Sequence, residues 1–530
     1  MERRNKILAL CLALCLALGL AACGTPGGDD GTADAPVNVS YGLSNAWDSL
    51  MPYYSVSGSN YSRLIYDKIY DRLAYVQPDG TCLPRAAESW ESADDGMAIV
   101  FHLDKDATFH DGTPVTAESW AETIALLTDP EVDTLGRTVF AGLAGTDSSG
   151  AAVAGEALGA EAVGDYDLKL TFQQPTIPEE FLVASNRDIY VLPVHLLRDL
   201  PKAEVLSADL WLAPVGSGPC KFVSELAGSS LTLAANEDYQ LGAPGFDTMT
   251  ITVIDKANLL TALISGDLDY YAFGGSISEE NRPVAEQAGF TVSEGTVTST
   301  FYELMLNNES IDDVSIRQAI AKALDKELLC RQSTGTLGDP TDTSILPGTI
   351  YSAPVQDTYD PDGAKALLAA SSYDGRTYTL ACTSARASVA ALIQQDLVEA
   401  GLKVEIATVD SATMFSGMYD GTYDMGLASH TPTSLPLWFT GSRFSEDNDL
   451  FRVGDVSRYQ QLMGEIAGMT DEDVRVDLVD ELEQYLDEQM PFVPLWTSRA
   501  LHVESKTVSG IDYAASACCN ENVWQWSKEG

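Results

Sequence analysis

LPRAAESWESADDGMAIVFHLDKDATFHDGTPVTAESW, residues 83–120, carries two histidines and eight carboxylates and invites a catalytic reading. Its local signals are structural. Ile99-Val100-Phe101-His102-Leu103 reads as a strand. Asp111-Gly112 is a turn dipeptide, since glycine enters positive φ at no steric cost. Thr116 suits a helix N-cap, and Glu118 falls in the first turn, where the helix dipole favours a negative charge. Trp120, Ile124 and Leu127 then follow at helical spacing. Every polar residue has a local task, so His110 is expected to serve the turn rather than chemistry.

The rest of the chain offers few enzyme signals. It has no G-x-S-x-G elbow, no H-E-x-x-H and no G-x-x-x-x-G-K-[ST]. The five histidines (His102, His110, His195, His430 and His502) include no i, i+4 pair for a metal. PVGSGPCKF, residues 214–222, lacks the strand-then-helix setting of a phosphate loop and reads as a tight turn. No cofactor is expected.

Length sets roughly three domains as a prior. Arg3, Arg4 and Lys6 precede ILALCLALCLALGL, residues 7–20. That apolar run reaches ~21 Å as a helix, short of the ~30 Å hydrocarbon core, so residues 1–22 read as a signal peptide. Leu20-Ala21-Ala22-Cys23 resembles a bacterial lipobox, which implies lipidation (palmitate among the acyl groups) at Cys23. Residues 23–36, rich in Gly, Asp and Pro, read as a flexible tether. The expected product is a lipoprotein at the extracytoplasmic face of the cell membrane.

The net charge is −47, and −49 once residues 1–22 leave with Arg3, Arg4 and Lys6 against Glu2. Such a body repels nucleic acid and anionic lipid. Beyond Cys11, Cys15 and Cys23, six cysteines remain: Cys82, Cys220, Cys330, Cys382, Cys518 and Cys519. None makes a C-x-x-C pair, which argues against zinc and thioredoxin-type redox chemistry. Most are expected to be buried thiols; the adjacent Cys518-Cys519 could bridge elsewhere.

Residues 83–120 also resemble the signature region of extracellular solute-binding proteins of the dipeptide, oligopeptide and nickel uptake family, which serve ABC importers. The matching steps are Ala-Glu-Ser-Trp, Asp-Asp-Gly, Phe-His-Leu and Phe-His-Asp-Gly-Thr-Pro. Further blocks follow in order: PVGSGPCKFV at 214–223, Asn236 to Tyr239, ALISGDLDYYAF at 262–273, and DDVSIRQAIAKALDKELL at 312–329. YDPDGAKALLAAS at 359–371, ALIQQDLVEAGLKVEIATVD at 391–410 and GTYDMGLAS at 421–429 complete the series. The likeness covers nearly all of residues 60–505.

Periodicity agrees with an α/β chain. Ile316, Ala319, Ile320, Ala323, Leu324 and Leu328 form one stripe across a helix over 312–329. Val389, Leu392, Ile393 and Leu397 do the same over 388–400, with Gly401 as left-handed cap. Strands are expected at 403–408 and 423–428, giving an α/β layer with a parallel core. The resemblance implies a periplasmic-binding-protein-like fold: two lobes around a cleft, joined by a hinge, with an extra domain inserted in the first lobe. Lobe I would take residues 37–60, 190–297 and 501–530, the insert 61–189, and lobe II 298–500.

It further implies a monomeric, non-enzymatic binder that delivers a peptide or similar small solute to permease subunits. Alternatives are a nickel or metal-chelate binder of the same fold, a surface sensor or adhesin, and a surface hydrolase. In the family a carboxylate after the strand resembling 423–428 often pairs with the peptide's α-ammonium. SHTPTSLPLWFTGSRF, residues 429–444, contains no acid, and the next is Glu446. Asp48 is therefore expected to take that role, unless no free α-amine is held. Other expected ligand contacts are Asn45, Trp47 and Tyr54 after the first strand, and Tyr271 and Phe273 near the hinge. Trp438 and Phe439 would stack, Arg443 would fork onto a carboxylate, and Trp496 lies near another crossing. His430 would matter for a chelate that brings its own ligands.

Overall fold

The computed structural model describes residues 36–53, 59–78, 80–132, 134–185, 189–296, 298, 300–345, 351, 358–430, 444–445, 448–469, 471–517 and 519–529. The expected signal peptide, Cys23, nearly all of the tether, Tyr54, Trp438, Phe439, Arg443 and Cys518 lie outside the described residues. No described helix is long and apolar enough to cross a membrane.

Three larger sheets organise the chain. The first has five strands, in the order Tyr270–Tyr271, Asn38–Leu43, Thr248–Val253, Ser230–Ala235, Cys220–Leu226. Ala87–Ala93, Ala98–Leu103, Asp167–Thr171 and Ala160–Ala162 make a four-stranded antiparallel sheet. The six-stranded sheet runs Gly338–Pro340, Phe492–Ser498, Thr300–Leu306, Met425–His430, Thr377–Cys382, Lys403–Thr408. The expected parallel core is only partial. Asn38–Leu43 runs parallel to both neighbours, and Thr377–Cys382 to both of its own, but the remaining pairs are antiparallel. Hairpins such as Cys220–Leu226 with Ser230–Ala235 explain the mixture, because a short turn can only reverse the chain.

The helix predicted after Thr116 spans Ala117–Thr128, with Thr116 and Ser119 forming a reciprocal cap and Trp120, Ile124 and Leu127 buried. The helix expected over 312–329 breaks in two, Val314–Ala323 and Lys326–Thr334. Asp325 ends the run because its carboxylate accepts from Leu328 N–H and caps a new helix. Ala387–Ala400 closes on Gly401 at φ 111, as expected. The strand expected at 423–428 is shifted to Met425–His430. Cys220, Cys330 and Cys382 are buried thiols, and burial pushes Cys220 up to about 12.

His110 is a clip. Its Nδ1 accepts from Gly216 N–H at 3.1 Å, which leaves Nε2–H to donate to Gly218 O at 3.0 Å. Gly216 must lack a side chain: a Cβ there would stand 1.9 Å from Ile69 O, on the end of helix Asn60–Ile69. Asp111 meets His195 Nε2 at 2.8 Å. The opening cluster therefore locks the 214–218 turn and has no reacting partner among the described residues.

Helix Asn60–Ile69 also carries two of the six members of a buried charge cluster, Asp67 and Lys68. Lys68, Arg72 and Arg85 face Asp67, Asp71 and Glu521, all at most 1 % exposed. Arg72 and Arg85 both bond Asp67 Oδ1, Arg85 Nε bonds Asp71, and Lys68 bonds Glu521. Glu521 N–H donates to Asp67 Oδ2 at 2.7 Å, and Tyr41 and Tyr270 donate to Glu521 at 2.9 and 3.1 Å. Burial pushes the Asp67 carboxyl up, but Arg72 and Arg85 overcome it and hold it below the usual range.

Lys68→Met should cost ~3–5 kcal/mol in urea unfolding by stranding Glu521, and adding Glu521→Gln should restore much of it. Equal loss in the double variant would contradict a balanced pair. Burial lowers His110 from 6.5 to about 4. The unfolded chain takes up that proton first, so the contribution is complete above pH 6.5 and lost as pH falls toward 4. His110→Asn should flatten the pH dependence of stability by about 3 kcal/mol across that window.

Candidate functional site

Strands that run parallel end on the same edge of a sheet, and loops leaving that edge are the usual ligand holders of α/β folds. In the six-stranded sheet, Thr377–Cys382 and Met425–His430 end together, beside the end of Phe492–Ser498 and the start of Thr300–Leu306. A bulge between Tyr302 and Glu303, opposite Trp496 and Pro494, re-aims this end of the sheet.

Side chains here divide between the two faces of the sheet. On one, Tyr302 stacks on Trp496 with ring centroids 4.9 Å apart and planes at 22°. Arg386, just past Cys382, lies 5.8 Å from the Tyr302 centroid and donates to Ser429 Oγ and, at 3.5 Å, to Thr383 Oγ1. On the other, His430 Nε2 meets Glu303 Oε1 at 2.8 Å, with Phe415 edge-on to the imidazole at 6.0 Å. Glu303 is fully buried. Trp496, expected as a contact, is 1 % exposed and forms the floor under Tyr302.

The five-stranded sheet presents its own edge, where Asn38–Leu43 and Tyr270–Tyr271 end. Asn45 and Asp48 are exposed, while Trp47 is buried with Nε1 donating to Glu225 at 2.7 Å. Ser44 Oγ bonds Tyr61 OH at 2.7 Å, and Tyr61 packs edge-on to Phe273 at 5.3 Å. Phe273 sits at φ 61, ahead of Gly274 at φ 66 and Gly275 at φ 65. A left-handed bulky residue is strained, and such strain gathers at ligand clamps. Tyr271 instead packs inward with Leu259, Leu263 and Phe290.

The expected residues thus fall into two groups. Asn45, Trp47, Asp48 and Phe273 gather on one sheet edge; His430 and Trp496 share the other. Arg386, Tyr302, Glu303 and Tyr61 were missed. Only Arg386 gives a sequence signal, as a lone base directly after the strand Thr377–Cys382. Among the described residues no cluster of three His, Cys, Asp or Glu side chains is placed to hold a metal.

Neighbouring strand crossings, Val292–Glu294 to Thr300–Leu306 and Phe492–Ser498 to Leu501–Val503, join the six-stranded sheet to a three-stranded sheet of Ser276–Ile277, Leu501–Val503 and Val292–Glu294, with Gly295 N–H donating to Ala500 O at 2.8 Å. Away from them, Arg475 on helix Glu472–Gln489 reaches Glu180 on helix Pro178–Ser185 at 2.8 Å. Among the described residues this is the one side-chain hydrogen bond between residues 61–189 and 298–500. Arg475→Met should release it, and small-angle scattering of the unliganded protein should then give a larger radius of gyration. An unchanged radius would contradict a latch.

A sequence profile of the bacterial extracellular solute-binding proteins, family 5 (Middle), matches residues 81–449, more than half of the chain. Heme-binding protein A of Haemophilus influenzae is 25 % identical over 518 residues, covering 90 % of this chain and 88 % of its own. The oligopeptide-binding protein AppA of Bacillus subtilis is 21 % identical over 471 residues, covering 81 % and 80 %. The crystal structure of the ABC transporter substrate-binding protein CtaP of Listeria monocytogenes superposes with a TM-score of 0.80 at 20 % identity, covering 93 % of this chain and 99 % of CtaP. That superposition fixes the fold as the two-lobe one of solute-binding proteins, and the chain belongs to the bacterial extracellular solute-binding proteins of family 5.

Proposed function

We propose that this protein captures a carboxylate-bearing solute, a short peptide or a molecule of similar size, between its two sheet edges and passes it to an ABC permease. One observation carries the reading. Several arginines elsewhere pair with acids, Arg376 with Asp424, Arg452 with Glu309, Arg458 with Glu481 and Arg499 with Asp339, while Arg137 and Arg317 are held by backbone carbonyls. Arg386 has only hydroxyl partners among the described residues, in a chain with 78 acids against 31 bases. A guanidinium oriented by Ser429 and Thr383 over an aromatic ring is prepared for a ligand carboxylate.

Two relatives support the class. One is named for heme and one for oligopeptides, and both ligands carry carboxylates. An extended peptide would add main-chain hydrogen bonds, with waters filling its side-chain pockets. Tyr302 and Phe273 would flank it from the two lobes, and the paired crossings near Gly295 would let the lobes close. The Glu303 carboxylate fixes the orientation of the His430 imidazole through Nε2. A lipid on Cys23 would keep the protein at the membrane, and its role ends with release of an unaltered solute.

Native mass spectrometry of the full-length protein in mild detergent tests the reading. A spread of retained masses matching short peptides is expected; one discrete mass would point to a dedicated solute. Arg386→Gln should weaken retention about tenfold, the loss of one charge-assisted contact. A retained solute without an acid, or undiminished retention in Arg386→Gln, would overturn it.

A further inference from the structure

A recess of about 320 Å³ opens beside Asp48, between the segment after the first strand and the 206–212 turn. Trp47 and Trp211 line it, each 6 % exposed, together with Asp48, Glu225, Leu206 and Leu212. Both indole N–H groups are spent within the protein, on Glu225 Oε1 at 2.7 Å and Val205 O at 2.6 Å. The rings therefore offer a recess apolar surface and π-electrons rather than donors.

Its charge is one-sided. The lining contains two carboxylates and no Lys, Arg or His. Glu225 takes the Trp47 indole, and Asp48 takes Ser62 Oγ at a long 3.5 Å. Among the described residues neither carboxylate has an ion-pair partner that would neutralise the recess. Two anions beside two indoles attract a cation by Coulomb and cation–π forces together. Leu212, 70 % exposed, and Leu206 supply apolar surface for the stem that would bring such a cation in.

The position suits a ligand. Asp48 follows the end of Asn38–Leu43, and Ala227–Gly228 is the turn between Cys220–Leu226 and Ser230–Ala235. Both lie on the sheet edge where Asn38–Leu43 and Thr248–Val253 end together. We infer that this recess is a subsite for a solute's ammonium or guanidinium group carried on an apolar stem, so that the protein selects basic peptides or similar cationic solutes. This rests on the solute-binding reading, and names at the far edge from Arg386 the group that would complement a carboxylate.

The test uses the full-length protein in detergent and an equimolar library of random tripeptides, with the retained peptides released and identified by mass spectrometry. Wild type should enrich Lys and Arg about five- to tenfold over the input. The ratio of Lys to Arg then tells ammonium from guanidinium. Asp48→Asn and Glu225→Gln should each bring the enrichment toward one; both keep the side chain's size, and Glu225→Gln keeps an oxygen for the Trp47 indole. A thermal midpoint near wild type confirms that Asp48→Asn, at an exposed carboxylate, is folded. Retention without basic enrichment, or enrichment that survives both variants, overturns the recess and leaves the solute-binding reading standing. No retained peptide at all overturns the peptide reading and the recess with it.

Discussion

Lys68, Arg72 and Arg85 share one buried enclosure with Asp67, Asp71 and Glu521, and each sign depends on the other being present. A buried charge is tolerable only when paired and hydrogen-bonded, so these contacts fix where their segments lie. The segments are far apart in sequence: helix Asn60–Ile69, the stretch to Arg85, and the turn before Val523–Gln525 near the C-terminal end. Tyr41 and Tyr270 tie the cluster to the two parallel strands whose ends carry Asn45 and Phe273. The candidate ligand edge thus stands on strands tied to this buried cluster. Binding edges need stiffness, because a contact gains most when its groups are already in place.

The second lobe solves the same problem differently. Its frame is apolar: Leu304, Leu380, Leu427 and Leu495 are fully buried around the six-stranded sheet. Polar groups collect where the strands end, at Arg386, Ser429, His430 and Glu303. A sheet bulge at Tyr302 marks the place. The first lobe adds a buried charge cluster to its own apolar core, and among the described residues one ion pair, Arg475–Glu180, joins residues 61–189 to 298–500.

Local chemistry was legible in the sequence wherever signals agreed. Thr116 as cap, the Trp120–Ile124–Leu127 stripe and the Asp111-Gly112 turn point to one answer, and the structure has it. Residues 312–329 misled because the apolar stripe runs on through Asp325, whose capping role competes with periodicity. The family and the two-lobe fold were legible from many blocks in order. The candidate site was legible only in part. Asp48 and Trp47 lie on a sheet edge, as their place after a strand implies, but Trp211 and Glu225 join them through tertiary contact alone. Arg386 has meaning only once one knows that its strand ends beside Ser429 and Tyr302. Sequence marks a strand's end; which strands end together is a property of the fold.

The central claim is that this chain holds a solute and gives it back unaltered. The most direct measurement follows a tenfold excess of the solute that co-purifies with the full-length protein, by quantitative mass spectrometry over several hours, with the bound fraction recovered by denaturation. The account predicts about one equivalent bound per chain, chemically identical to the free pool, and a free pool that stays constant. Product that accumulates in proportion to time and protein would contradict it.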